Sequence, residues 1–320
     1  MKVVATGTNY SKYCAAGKKM LENYGFEVVE NTLGRPLTQE EAWELAYDAD
    51  AIVAGVDIWD GKSFEHCPNV KVIARFGVGF DNFDLEAGKK YGVKMCNAKA
   101  GNSTAVAEYA VNLIMSLYKK TYQFDPSTRK GEWNRSEGYL GYNISEKKVG
   151  LVGFGAIAQK VGKMLSGFDV ELLVYDMFPN QKAADKIGAK LTSFDEIIQT
   201  CDIISVHVPS TPETKHLFNK AVFEKMKSNA IIVNTARGPI ISEVDLYDAL
   251  KNHVIAGAGL DVYETEPTKA DNPLFTLDNI VVSPHVAAET YETYHDIGIL
   301  TAQIIIDVMD GKEPMNLLNP

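Results

Sequence analysis

The stretch from Lys148 to Asp176, KVGLVGFGAIAQKVGKMLSGFDVELLVYD, constrains the chain more than any other. Lys148–Val152 is a short apolar run that reads as a strand. It runs into Gly153-Phe-Gly155-Ala-Ile-Ala158. A helical pattern follows, with Ile157, Val161, Met164 and Leu165 on one face. A second apolar run, Val170–Tyr175, ends at Asp176. Strand, glycine-rich turn, helix, strand and acid are the parts of a dinucleotide site. Gly153 permits the tight turn. Gly155 lets a pyrophosphate approach the backbone. Ala158 stands where a third glycine often sits, and a methyl group there still lets helix pack on strand. The helix N-terminus offers N–H groups and a positive dipole end to phosphates. Asp176 falls where a carboxylate hydrogen-bonds an adenosine ribose diol. The same carboxylate would repel a 2′-phosphate, and Met177, Phe178 and Pro179 supply no cation. NAD is therefore expected over NADP.

With 320 residues the chain has room for two domains. Its first third alternates strand and helix signals. Strands are expected at Lys2–Thr6, Phe26–Val29, Ala51–Ala54, Val70–Ala74 and Val93–Cys96, and a helix at Lys12–Tyr24. Thr38-Gln-Glu-Glu41 has capping-box spacing for another helix. Such alternation implies a parallel sheet with helices on both faces. Asn97–Thr104 (NAKAGNST) is polar and reads as a crossing between domains, followed by a helix over Ala105–Tyr118. Lys119–Ser145 shows no clear period and reads as an irregular arm. Beyond Lys148, strands are expected at Ile203–Val208, Ala230–Asn234, Ile255–Val262 and Ile280–Ser283. Helices are expected near Phe194–Gln199, Lys220–Met226 and Glu243–Leu250. A last helix, Glu289–Met309, should end at Gly311.

A net charge of −10 argues against nucleic acid and anionic membranes as partners. The apolar start is too short for a signal peptide, and no apolar run is long enough to span a bilayer. Cys14, Cys67, Cys96 and Cys201 are widely spaced, without a metal-like pattern. They read as thiols of a reducing compartment, so the expected location is cytoplasmic and the expected metal content is none.

Three residues follow expected strand ends in the second half: Arg237, Glu266 and His285. Doubly wound sheets place ligands at that edge. Reduction of a 2-oxo acid needs a hydride at C2 and a proton at the carbonyl oxygen. A histidine suits the proton transfer near neutral pH. A carboxylate beside it would stabilise the imidazolium, and an arginine fork would hold the substrate carboxylate. Histidine alone selects nothing, since His207, His216, His253 and His295 are also present. Arg75–Asn82 (RFGVGFDN) has two readings: a plain strand-to-helix loop, or a small anion site built from backbone N–H groups.

Taken together, these segments resemble the D-isomer-specific 2-hydroxyacid dehydrogenases over essentially the whole length. The resemblance rests on Ala74–Asn82, Gly153–Ala158 with Asp176, and His207-Val-Pro-Ser-Thr-Pro-Glu213. It also rests on Asn234-Thr-Ala-Arg-Gly238, Gly259–Glu264 with Glu266-Pro267, and Ser283-Pro-His-Val-Ala-Ala288. It implies an α/β fold of two doubly wound parallel-sheet domains. A Rossmann NAD domain, residues 99–288, would be inserted in a discontinuous flavodoxin-like substrate domain, residues 1–98 and 289–320. The substrate cleft would lie between them. Arg237, Glu266 and His285 would be catalytic. Thr104, Gly153, Gly155, Ala156, Ile157, Asp176, His207, Val208, Pro209, Thr235, Ala236, Arg237, Asp261, His285 and Ala287 would line the NAD site, with Asp261 at the nicotinamide carboxamide. Arg75, Val78, Gly79, Arg237 and His285 would bind substrate, a small anionic 2-hydroxy or 2-oxo acid. The arm would help form a homodimer.

Ala156-Ile157 and Ala158 depart from the family's frequent Arg-Ile and third glycine, which removes one phosphate contact. Arg75 and Gly101-Asn-Ser103 resemble the phosphoglycerate dehydrogenase branch, so 3-phosphoglycerate competes with lactate, glycerate and glyoxylate as the expected substrate. The chain is too short for the regulatory domains many such enzymes carry. A non-catalytic NAD-sensing interaction protein is the alternative from another class.

Overall fold

Short strands of β-branched residues and alanine, covered on both faces, build the first sheet, so alternate residues enter opposite cores. In the computed structural model every residue is described except Asn9 and Ala100, with Glu137 described through its backbone only. The elements run β1 (Lys2–Thr8), α1 (Tyr10–Tyr13), α2 (Ala15–Tyr24), β2 (Glu27–Asn31), α3 (Gln39–Ala46), β3 (Ala51–Ala54), α4 (Gly61–His66), β4 (Val72–Arg75), α5 (Leu85–Tyr91) and β5 (Lys94–Asn97). All pairings are parallel, in the order β2-β1-β3-β4-β5. This is the flavodoxin-like order.

The second sheet belongs to the next stretch of chain. Its elements are α6 (Ser103–Lys119), α7 (Thr121–Arg129), β6 (Lys148–Val152), α8 (Ala156–Leu165), β7 (Glu171–Tyr175), α9 (Gln181–Asp185), β8 (Lys190–Leu191), α10 (Phe194–Thr200), β9 (Ile203–Val206), α11 (Lys220–Phe223), β10 (Ile231–Asn234), α12 (Glu243–Lys251), β11 (Gly257–Leu260) and β12 (Ile280–Val282). The order β12-β11-β10-β9-β6-β7-β8 is the Rossmann order with one strand added. One further helix, α13 (Tyr291–Met309), closes the chain. The chain divides into two units: Met1–Asn102 with Glu289–Pro320, and Ser103–Ala288.

In the first unit, Val3, Ala5, Val53 and Ala74 face a core shared with Leu21 of α2 and Ile304 and Ile305 of α13. Val4, Ile52, Ile73 and Met95 face the other core, with Ala46 and Phe64. Gly17 of α2 meets Gly298 of α13 so closely that a β-carbon on Gly17 would lie 2.2 Å from the Gly298 carbonyl oxygen. Two glycines thus set how near α13 comes to its neighbour. In the second unit, Leu113, Ile114 and Leu117 of α6 and Val161 and Leu165 of α8 cover one face. Ile197, Ile198, Leu246 and Leu250 cover the other. Each fully buried leucine or isoleucine contributes about 1.5–3 kcal/mol.

Thr38 and Glu41 form the expected capping box, each side chain accepting from the other's backbone N–H. Gly311 takes a left-handed φ of 74° just past α13. Elsewhere the expectations need correction. The helix expected over Lys12–Tyr24 breaks at Cys14, whose side chain meets Gly298 and whose backbone leaves helical geometry. The arm contains a helix, α7, that buries no residue fully and carries Pro126 in its interior, a residue that argues against helix in the sequence. Tyr122 Oη and Gln123 Nε2 tether it by donating to the Asp278 carbonyl. Of the crossing expected at Asn97–Thr104, Ala100 lies outside the described residues. The division into units falls after Asn102, four residues later than the expected 98/99 boundary. Gly101 explains this, since its N–H bonds the Ala98 carbonyl and its Cα faces Ile297 of α13.

Candidate active site

Register alone assembles a site at one edge of the second sheet. Tyr175, Val152, Val206, Asn234, Leu260 and Val282 lie side by side across six parallel strands. The next residue on each strand is therefore Asp176, Gly153, His207, Thr235, Asp261 and Ser283. Side chains scattered over more than a hundred positions leave the sheet in one row, at the edge where open α/β sheets bind ligands.

The glycine-rich turn is built as its sequence demands. Gly153 has φ 93°, and a β-carbon there would strike the His207 carbonyl at 2.7 Å. Gly155 is the N-cap of α8 and has no side chain to cap it. A β-carbon on Gly155 would meet nothing within 4 Å. Ala158 is fully buried in the core beneath, so its methyl is accommodated at the third position. Asp176 accepts hydrogen bonds from Phe154 N at 2.6 Å and Phe178 N at 2.7 Å, one on each oxygen. Each oxygen keeps a lone pair for a further donor. Thr235 Oγ1 is buried and has no partner among the described residues. Thr104 is exposed in the first turn of α6. His207 Nε2 lies 2.9 Å from Ser205 Oγ, and burial pushes its pKa down to about 4. That ring is neutral at physiological pH. An uncapped helix start, an open glycine face and an orphaned hydroxyl along one edge fit a bound dinucleotide.

Further along the edge, His285 Nδ1 lies 2.7 Å from Glu266 Oε2. Burial pushes the Glu266 carboxyl up. The His285 ring, the Tyr263 N–H and the Arg237 charge outweigh it and hold the group below the ordinary carboxylate range. An ionised carboxylate only accepts, so Nδ1 carries the proton and Nε2 is the nitrogen that exchanges one. The hydrogen bond to Glu266 raises the His285 pKa, against burial and the nearby Arg237 charge. The imidazole is about half exposed.

Arg237 follows β10 in a turn that Asn234 holds from both sides. Asn234 Nδ2 donates to the Arg237 carbonyl, and Asn234 Oδ1 accepts from Ala236 N. Gly238 makes the approach to Glu266 possible. A β-carbon on it would fall 1.8 Å from the Tyr263 carbonyl carbon. Asp261 is fully buried. Its oxygens accept from Ser283 Oγ, Val286 N and Ala287 N at 2.6, 2.9 and 2.8 Å. The residue expected at the carboxamide thus also organises the turn that carries His285.

Arg75, Val78 and Gly79 belong to the other unit, at the C-terminal end of β4. Arg75 Nη1 donates to the Phe76 and Ala54 carbonyls, which holds the loop. The Val78 carbonyl accepts from Asn97 Nδ2 at 2.6 Å, which ties this loop to β5. Tyr263 and Ser283 were not singled out as site residues in the sequence. Their places inside the segments Gly259–Glu264 and Ser283–Ala288 were the available signal. No group of three or more His, Cys, Asp or Glu among the described residues could hold a metal, and no described helix is long and apolar enough to cross a membrane.

Residues 111–287 match the family model described as "D-isomer specific 2-hydroxyacid dehydrogenase, NAD binding domain". The chain is 35% identical over 311 residues to a glyoxylate reductase of Thermococcus litoralis, covering 95% of this chain and 93% of that one. It is 40% identical over 260 residues to a D-3-phosphoglycerate dehydrogenase of Archaeoglobus fulgidus, which covers 81% of this chain but 49% of that protein. The chain thus spans about half the length of that relative. Among solved structures it resembles the apo-structure of D-lactate dehydrogenase from Escherichia coli, with TM-score 0.87, 32% identity, and 99% and 100% of the two chains covered.

Proposed function

Because the chain belongs to the D-isomer-specific 2-hydroxyacid dehydrogenases, we propose that it interconverts a small 2-oxo acid and its D-2-hydroxy acid with NAD(H). The observation that carries this reading is the His285–Glu266 pair, with the charge of Arg237 beside it, on the sheet edge that also bears the glycine-rich turn. Bound NADH supplies the hydride. His285 Nε2 gives a proton to the carbonyl oxygen during reduction and takes it back during oxidation. Glu266 holds Nδ1 and stabilises the imidazolium. Arg237 takes the substrate carboxylate in its fork and polarises the carbonyl.

Asp176 would bind the ribose diol, and the first turn of α8, from Gly155 to Ile157, would take the pyrophosphate. Thr104, His207, Val208, Pro209, Thr235, Ala236, Asp261 and Ala287 complete the cofactor lining in this reading. The unit of residues 103–288 is the cofactor domain, and the other is the substrate domain. In its loop after β4, Val78 and Gly79 offer backbone N–H groups to an anion. Relatives named for glyoxylate and for phosphoglycerate support a small anionic substrate of this class.

A homodimer is supported by the arm, where Trp133 and Leu140 are 79% and 65% exposed. All four cysteines are free and buried, which suits the reducing cytoplasm. The test is a panel of 2-oxo acids followed by NADH absorbance. Reduction of at least one member is expected. NADH binding with no turnover of any member would favour the interaction-protein reading.

A further inference from the structure

The turn that carries His285 is held from both ends. Ser283, two residues before it, donates through Oγ to Asp261. Val286 and Ala287, just after it, donate their N–H groups to the same carboxylate. Between these anchors His285 sits at φ 57°, in the left-handed region that non-glycine residues rarely adopt. A conformation of that kind persists only where neighbours over-determine it.

One residue touches both sides of the His285–Glu266 pair. Tyr263 N donates to Glu266 Oε1 at 2.9 Å, the oxygen that does not meet the histidine. Tyr263 Oη donates to the Ser283 carbonyl at 3.1 Å. Its ring is buried and meets Phe275 edge-on at 5.8 Å. Gly238 packs against its backbone from the Arg237 side. The same residue therefore fixes the carboxylate through its backbone and the histidine turn through its hydroxyl.

We propose that Tyr263 is a positioning residue that sets the geometry between His285 and Glu266, and through it the proton affinity of His285. This inference rests on the reading of His285 as the proton donor. Three charged groups face that imidazole: Glu266 and Asp261 favour its protonation, and Arg237 opposes it. Burial pushes the Tyr263 phenol up to about 12, so it stays a donor throughout the working range. Loss of its hydroxyl would free the Ser283 carbonyl, loosen the turn and lengthen the hydrogen bond from Nδ1 to Glu266. The imidazolium would lose part of its main stabilising contact.

Tyr263→Phe removes the hydroxyl and keeps the ring, so the core contact with Phe275 remains. The His285 pKa would be read directly by NMR of ring-labelled histidine, without substrate or cofactor. The expected result is a lower His285 pKa in Tyr263→Phe than in the parent. In a Glu266→Gln background, Tyr263→Phe should produce little further shift, because the contact it acts through is already changed. Turnover of the oxo acid should fall about threefold to tenfold, the factor one net hydrogen bond represents, with NADH affinity unchanged. An unaltered His285 pKa in Tyr263→Phe overturns the proposal. So does an equal shift with and without Glu266, which would mark Tyr263 as a general support of the fold. The titration needs no activity. A shifted pKa in a protein that reduces no oxo acid would keep the positioning role and remove the functional reading.

Discussion

His285 reaches Glu266 through Nδ1, at 2.7 Å, which leaves Nε2 as the nitrogen that can trade a proton with a ligand. The two residues are 19 positions apart, on turns that follow neighbouring strands.

This pairing sets a pH dependence. The hydrogen bond to Glu266 raises the His285 pKa above its ordinary value of about 6.5. Reduction needs the imidazolium, so it should persist through that value and fail as pH rises through the raised pKa. Oxidation needs the neutral ring and should fail as pH falls through the same point. Glu266→Gln should move both limbs towards acid. Single-turnover rates against pH read the effect.

Removal of the imidazole should be costlier. His285→Asn is expected to lower the chemical rate about a hundredfold or more, the range for loss of a general acid. NADH affinity, followed by fluorescence, should change little. A parental rate and pH profile in this variant would take His285 out of the mechanism.

Arg237→Lys keeps the charge and loses the fork. Because the charge that His285 feels is retained, the pH profile should stay in place. The KM for the oxo acid should rise, since an ammonium cannot offer two parallel N–H bonds to a carboxylate. Steady-state kinetics at several pH values separate the two effects.

Cofactor choice should follow Asp176. NAD(H) is expected to be strongly preferred, and Asp176→Ala should narrow the gap by removing the repulsion of a 2′-phosphate. That variant also frees the Phe154 and Phe178 N–H groups, so a modest loss of stability should accompany it. Equal efficiency of both cofactors with the parent enzyme would count against the assignment.

Gly238→Ala should fail for a packing reason. The new methyl would fall on the Tyr263 carbonyl, and backbone must move to admit it. A loss of about 1–3 kcal/mol in denaturant unfolding is expected, together with most of the activity. Retained stability would mean that the Arg237 and Tyr263 turns separate easily.

Much of the molecule was legible because its signals are local. The Lys148–Asp176 unit needs only its own glycines, apolar period and terminal acid, and the structure forms it with nearly the expected bounds. Buried strands announce themselves as runs of valine, isoleucine and alanine, since both faces of a parallel sheet are covered. The helix α7 is hard to read from sequence because it is short, buries no residue fully and holds Pro126 inside it, which signals a break rather than a helix.

The sequence by itself determined the two sheets, the nucleotide turn and the residue types at the strand ends. Tertiary structure alone decided which atoms meet. Leu260 stands opposite Val282, so the turns bearing Asp261, Tyr263 and Glu266 leave the sheet beside the turn bearing Ser283 and His285. Arg237 comes near them because Gly238 has no side chain to hold the turns apart. The hydroxyl of Tyr263 on the Ser283 carbonyl depends on that register, and no local pattern encodes it. Hydrogen bonds act over about 3 Å, whereas the residues joined across these two turns are 19 to 26 positions apart in the chain, and only the packed sheet brings them within reach.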